Sequence, residues 1–185
     1  LSSGEFVVVW SSNGSWSTDS SGWSVQARLV DSSGLAVGSS EFQVNTYTTG
    51  SQSGGGVAAD GNDRFVVTWT SFGSFGTDQS YSSVQARRFD ASGAALDPAE
   101  FQVNTQTNYY QEVPRVAAAP SGDFVVAWTD WYDPVGDDHI GVKARRFASD
   151  GTALDVSDFQ VNVYTPTGQR PSDVGIDAEG NFVVA

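Results

Sequence analysis

Short runs of β-branched and aromatic residues, bounded by polar turns, recur along this chain at a fixed interval. Phe6-Val7-Val8-Val9-Trp10 returns as Phe65-Val66-Val67-Thr68-Trp69 and as Phe124-Val125-Val126-Ala127-Trp128, 59 residues apart each time. Val25-Gln26-Ala27-Arg28 returns as Val84-Gln85-Ala86-Arg87 and Val142-Lys143-Ala144-Arg145, and Phe42-Gln43-Val44-Asn45 as Phe101-Gln102-Val103-Asn104 and Phe159-Gln160-Val161-Asn162. The last two intervals are 58, because one residue is missing between Trp128 and Val142. Three motifs keeping one period define a repeat. Its units run approximately 1–59, 60–118 and 119–176, with 177–185 starting a fourth.

Each unit carries four strand signals. The first is Phe-Val-Val-x-Trp. The second, Val-x-Ala-Arg, ends at Gly-containing steps such as Asp31-Ser32-Ser33-Gly34 and Asp90-Ala91-Ser92-Gly93, which are turn chemistry. The third, Phe-Gln-Val-Asn, alternates with period two. The fourth is small-sided: Gly56-Val57-Ala58-Ala59, Val116-Ala117-Ala118-Ala119 and Val174-Gly175-Ile176. No stretch shows the 3.6-residue period of a helix.

A lone four-stranded sheet of this size cannot bury both faces, whereas stacked neighbours can. The expectation is therefore an all-β chain of four-stranded antiparallel repeats, arranged as consecutive blades of a β-propeller. The small fourth strand suits the crowded position nearest a propeller axis. A β-sandwich array and a solenoid are the competing arrangements. Three blades do not close a ring of the usual four to eight, so the blades are expected to belong to a larger or completed propeller. The chain has no Met and starts at Leu1, which reads as a processed product or a piece of a longer protein.

Charge narrows the partners. The net charge is −13, from 22 acidic against 9 basic residues. That argues against nucleic acid, whose phosphates need a basic face, and against an anionic membrane surface. No apolar run approaches the roughly 20 residues needed to cross a bilayer as a helix. The acids are 17 Asp and 5 Glu, a bias that belongs to turns first and to metal chemistry second. There are no cysteines, hence no disulfide framework and no thiol chemistry.

Positions kept in every copy are most economically structural. Trp10, Trp69 and Trp128 read as core anchors. Arg28, Arg87 and Arg145 are expected to pair with Glu41, Glu100 and Asp158 across neighbouring strands, and Asn45, Asn104 and Asn162 to form turns. Function is expected where the copies differ, in the loop after each of those tryptophans. Candidate ligand-binding residues are Trp16 and Trp23 in the first loop, Phe72, Phe75 and Tyr81 in the second, and Trp131 and Tyr132 in the third. Aromatic rings among Ser, Asn, Asp and Gly suit sugars: a ring stacks on the apolar face of a pyranose while short polar groups take its hydroxyls. The competing reading is that these rings fold back over blade edges. Asp19, Asp78 and Asp137 each follow their Trp by nine residues, and Asp130, Asp133, Asp137 and Asp138 crowd the third loop. Hard oxygen ligands of this kind could hold Ca²⁺, with Asp130, Asp133, Asp137 and Asp138 the candidate metal ligands; plain turn aspartates are the alternative.

Catalytic readings find less support. His139 is the single histidine, no Gly-x-Ser-x-Gly elbow is present, and Gly54-Gly55-Gly56 is not followed by the Lys and Ser/Thr of a phosphate loop. An asymmetric acid pair for glycoside hydrolysis would have to come from Asp130, Asp133, Asp137 and Asp138.

Gly122 to Trp128, Val84 to Asp90 and Glu41 to Thr46 together resemble the repeat arrays of very large secreted bacterial proteins, the adhesin-like and RTX-type surface proteins. The resemblance covers essentially the whole chain. It implies a secreted or cell-surface setting and carries no catalytic motif; the calcium-binding Gly-Gly-x-Gly-x-Asp nonapeptide is absent. The resulting expectation is a non-catalytic extracellular module that binds a glycan or protein ligand through the loops after each Trp. The alternatives are a structural spacer or assembly subunit that self-associates through unpaired repeat ends, and a fragment of a propeller carbohydrate-active enzyme.

Overall fold

The computed structural model describes residues 1–2, 4–15, 17–38, 40–74, 76–131, 140–164 and 167–185. These form thirteen strands in four antiparallel sheets, and no helix occurs among them. The first sheet contains β1 (Phe6–Asn13), β2 (Trp23–Val30) and β3 (Phe42–Gln43). The second contains β4 (Gln52–Ala59), β5 (Phe65–Ser71), β6 (Ser83–Phe89) and β7 (Phe101–Gln102). The third contains β8 (Gln111–Ala118), β9 (Phe124–Asp130), β10 (Gly141–Phe147) and β11 (Phe159–Gln160), and the last pairs β12 (Val174–Ile176) with β13 (Phe182–Val184). The fold is all-β, as the period-two patterning implies.

Hydrogen bonding joins the small-sided strand at the end of one sequence unit to the Phe-Val-Val strand that opens the next. The order within each full sheet is thus β4-β5-β6-β7 and β8-β9-β10-β11. The Phe-Gln-Val-Asn motif forms only a two-residue strand, extended by one further bond from Val44 N–H to Val25 O and from Val103 N–H to Val84 O. These outer strands are short, a feature that blunts edge-to-edge pairing.

The sheets stack, and this explains why β5 and β9 are apolar on both sides. Phe65, Val67, Trp69 and Phe89 pack against Val25, Ala27, Leu29 and Val44 of the preceding sheet. The alternate residues Val66, Val84, Ala86 and Val103 pack against Phe124, Val126, Trp128 and Phe147 of the following one. With both faces covered, period-two alternation loses its polar half and every residue of β5 and β9 is buried. Trp69 and Trp128 are wholly buried, as their core role requires, whereas Trp10 on the first sheet is half-buried. Phe65 stacks on Phe89 at 5.2 Å and Phe124 on Phe147 at 5.0 Å, so the aromatic ladder repeats with the sequence.

The small-sided strand earns its composition by position. A Cβ at Gly56 would stand 3.2 Å from Val116 Cγ1 of β8, because the first strands of successive sheets pack closely against each other as the sheets stack. Both β4 and β8 carry a bulge at the same point, between Ser53 and Gly56 and between Glu112 and Arg115.

Polar links between sheets differ from the expected ion pairs. Arg87 donates to Val44 O of the preceding sheet at 2.9 Å and to Asp97 O, with its guanidinium over the Phe89 ring; Arg145 repeats this with Val103 O, Asp155 O and Phe147. Glu100 instead accepts from the Tyr47 N–H at 2.7 Å and from Thr46, and Asp158 accepts from Thr105 and Gln106. The carboxylates thus hold the preceding unit's backbone. The ion pairs form one residue along, Arg88 with Asp97 and Arg146 with Asp155. The aspartate bias is turn chemistry at Asp31, Asp90 and Asp177, whose carboxylates each accept backbone N–H bonds two and four residues on. Hydrogen bonds from the Ser33, Ser92 and Asn181 side chains, with those backbone bonds, hold the three carboxyls below the ordinary aspartate range.

Candidate functional site

A buried polar chain runs along one end of the stack at the first two sheet junctions. At the first, Asn45 Nδ2 donates to Asp19 Oδ2 at 2.7 Å and lies 3.4 Å from Gln52 Oε1, while Asn45 Oδ1 accepts the Val25 N–H at 2.9 Å. At the second, Asn104 stands in the same relation to Asp78 (2.9 Å), Gln111 (3.4 Å) and the Val84 N–H (2.9 Å). The repeated asparagines are therefore more than turn formers. Asn45 and Asn104 are buried connectors between the loop after the Trp, the strand β2 or β6, and the next sheet.

The second junction adds a group. Where the first sheets carry Ser12 and Ser71, the third carries Asp130, which accepts from Gln111 Nε2 at 3.1 Å. Asp78 and Asp130 are both buried, at 1% and 2% exposure. Burial pushes the Asp78 carboxyl above the ordinary aspartate range, against hydrogen bonds from Asn104 and Ser80 that lower it, and the charge of Asp130 adds to the rise.

Above this chain sits a cluster of aromatic rings. Tyr81 lies 4.6 Å from Tyr110 and 6.3 Å from Tyr109, with the Tyr81 and Tyr109 planes within 4° of parallel. Tyr110 meets Trp131 edge-on at 6.4 Å, and the Arg170 guanidinium covers the Trp131 ring at 5.3 Å. The sequence ties rings to network directly: Tyr110 precedes Gln111, Trp131 follows Asp130, and Tyr81 follows Ser80. Two local bonds hold the loops together, Trp131 N–H to Tyr110 O at 2.9 Å and Ser80 Oγ to Thr107 O. Tyr81 and Tyr109 are the outward members, 58% and 48% exposed; Tyr110 and Trp131 are half-buried behind them.

The backbone beneath these rings is unusual. Tyr81 has φ 46° and Tyr109 φ 64°, in the left-handed region. One repeat earlier the same positions hold Gly22, φ 114°, and Gly50, φ 76°. An L-residue held there costs of the order of 1–3 kcal/mol, and glycine does not. The first junction folds with glycine, so packing alone does not demand tyrosine at the second.

The expected ligand residues divide accordingly. Tyr81 and Trp131 are brought together. Trp23 and Phe72 are 44% and 41% exposed and lie at the first junction, where Trp23 N–H faces Ser51 Oγ at 3.5 Å and Phe72 N–H bonds Ser51 O at 2.9 Å. Trp16, Phe75 and Tyr132 lie outside the described residues. Tyr109, Tyr110 and Arg170 escaped the loop-centred reading because they follow the third strand of a unit; the substitution of Gly50-Ser51 by Tyr109-Tyr110 was the available signal.

Of the candidate calcium ligands, Asp130 is committed to Gln111, and Asp133, Asp137 and Asp138 lie outside the described residues, as does His139. The recurring loop aspartates Asp19 and Asp78 are occupied by protein donors: Asn45 and the Ser21 N–H for one, Asn104 and Ser80 for the other. Among the described residues no three His, Asp or Glu side chains converge as a metal site. No protein-family model matches the chain, and neither does any curated protein.

Proposed function

We propose that the chain is a run of β-propeller blades from a secreted bacterial surface protein, acting without catalysis as a carbohydrate-binding module. The propeller reading is supported by consecutive stacked sheets whose small-sided first strands press together, the arrangement expected of strands nearest a common axis. The extracellular setting rests on the resemblance of the repeat to adhesin-like and RTX-type arrays.

The observation that carries the binding reading is the convergence of Tyr81, Tyr109, Tyr110 and Trp131 at one junction, with two of the four in left-handed backbone. Left-handed strain tends to cluster at functional surfaces, and two of the strained residues here are exposed tyrosines. Tyrosine and tryptophan give a sugar an apolar face to stack on.

A glycan-array screen of the folded chain, run with calcium and with chelator, tests this reading. A defined glycan signal is expected. Its loss in chelator alone would add a calcium site, and a blank on folded protein would sink the binding reading in favour of a structural spacer.

A further inference from the structure

The three copies act as internal controls for one another. Among the described residues, the non-glycine residues with positive φ are Asp63, Tyr81, Tyr109 and Val113. Each stands where the adjacent copy has a glycine that is itself left-handed: Gly4 and Gly122 for Asp63, Gly22 for Tyr81, Gly50 for Tyr109, Gly54 for Val113. The fold thus needs a left-handed residue at these points and no side chain. Tyr81 and Tyr109 are the two whose side chains meet each other, and they meet outside the core, more than half and almost half exposed.

The first junction shows the alternative. Its counterparts of Tyr81, Tyr109 and Tyr110 are Gly22, Gly50 and Ser51. A Cβ at Gly50 would lie 2.9 Å from Phe72 O, and one at Gly22 would lie 2.8 Å from Ser51 Oγ and 3.2 Å from Gly50 O. That junction is closed around bare backbone and has no room for the platform. The repeat therefore does not carry one binding surface per copy.

The charges beside the rings indicate what the platform accepts. Arg170 lies over Trp131, and Glu112 is within Coulomb reach of Arg170. The carboxylates of Asp78 and Asp130 lie beneath the rings, so the local balance is acidic and disfavours an anionic sugar. The overall charge of −13 repels polyanions at longer range. Two exposed phenol rings with near-parallel planes, 6.3 Å between centroids, present a double aromatic unit at the surface, wider than one ring.

Resting on the carbohydrate-binding reading above, we infer that the chain binds one non-anionic oligosaccharide of two or more pyranose units at the second junction, stacked on Tyr81 and Tyr109, and none at the first. Tyr110 and Trp131 support this platform from behind, and Arg170 closes the far face of Trp131.

The test is titration calorimetry of the chain with β-glucan, β-mannan and chitin fragments graded from monosaccharide to hexasaccharide, repeated on the Tyr81→Gly/Tyr109→Gly double variant. That variant restores the residues of the first junction, so its unfolding midpoint is expected to equal or exceed that of the parent. The expected result is one site per chain, affinity rising at least about tenfold from monosaccharide to disaccharide, and loss of about tenfold or more in the folded double variant. Tyr81→Phe/Tyr109→Phe keeps the stacking faces and is expected to stay within about tenfold of the parent. More than one site per chain, monosaccharide affinity equal to that of the oligosaccharides, or binding indifferent to the glycine variant would overturn the inference while leaving carbohydrate binding standing. Binding of a proline-rich peptide at these tyrosines with no sugar bound would overturn both.

Discussion

Gln111 donates its side-chain amide to Asp130 at 3.1 Å while its Oε1 lies 3.4 Å from the Asn104 amide that holds Asp78. One amide thereby connects two buried carboxylates, a combination present at this junction and replaced by serine at the position of Asp130 in the preceding sheets. The same residues underlie the tyrosine platform, so the electrostatics of this chain bear on the order of the site.

The Asp78 carboxyl is raised, first by burial and further by the Asp130 charge. A raised folded value means the folded state holds its proton more tightly than the unfolded chain does. The stabilising contribution is then complete below the ordinary aspartate value, about 3.9, and is lost as pH rises through the raised folded value. Carbon-detected carboxyl titration is expected to place Asp78 above a solvent-exposed aspartate. Asp130→Ser should bring it down; an unmoved midpoint in that variant would show that Asp130 does not act on it.

Val113 sits at the bulge of β8 with φ 56°, where β4 has Gly54 at φ 65°. A β-branched residue is poorly suited to that region. Val113→Gly removes left-handed strain of about 1–2 kcal/mol against a backbone-entropy loss of roughly 0.5–1 kcal/mol. Denaturant unfolding is expected to show equal or greater stability, by up to about 1 kcal/mol. A clear destabilisation would mean the side chain contributes packing that outweighs the strain.

Asn104 is wholly buried and serves the Val84 N–H, the Asp78 carboxylate and the Gln106 carbonyl. Asn104→Ala leaves a buried donor and a buried carboxylate without their partner, a loss of about 3 kcal/mol. Asn162, its equivalent in the third unit, is partly exposed and donates to Tyr164 O and Gln169. Asn162→Ala is expected to lose about 1 kcal/mol, because water replaces the missing partner there. Equal losses measured by urea unfolding would contradict the burial argument.

Trp69 fills the space between the first and second sheets with no solvent exposure, and Trp10 is its half-buried counterpart. Trp69→Ala should lose about 3–5 kcal/mol and Trp10→Ala well under that, since only the first leaves an enclosed cavity. Thermal or denaturant unfolding of the pair separates the two, and a reversed order would place the core elsewhere.

Strand formation was written locally, and so it could be read directly. Phe-Val-Val-x-Trp and Val-x-Ala-Arg declare extended backbone through β-branched and aromatic side chains, and their recurrence declares stacked units, because a sheet apolar on both faces is stable only between two others. Asp31, Asp90 and Asp177 likewise declare their turns, since each carboxylate bonds backbone only two and four residues away. The partners of Arg87 and Glu100 were not legible in the same way. Both reach across a sheet junction to backbone groups more than forty residues earlier, and a backbone carbonyl or N–H leaves no mark in the residue names. The tyrosine platform lies between these cases. Its members fall in three separate segments, at 81, 109–110 and 131, and only the stacking of the second and third sheets brings them to one surface. The chain specified its strands and turns through short-range chemistry. Which loops share a site was decided by how far each sheet stands from the next and which ends of them meet.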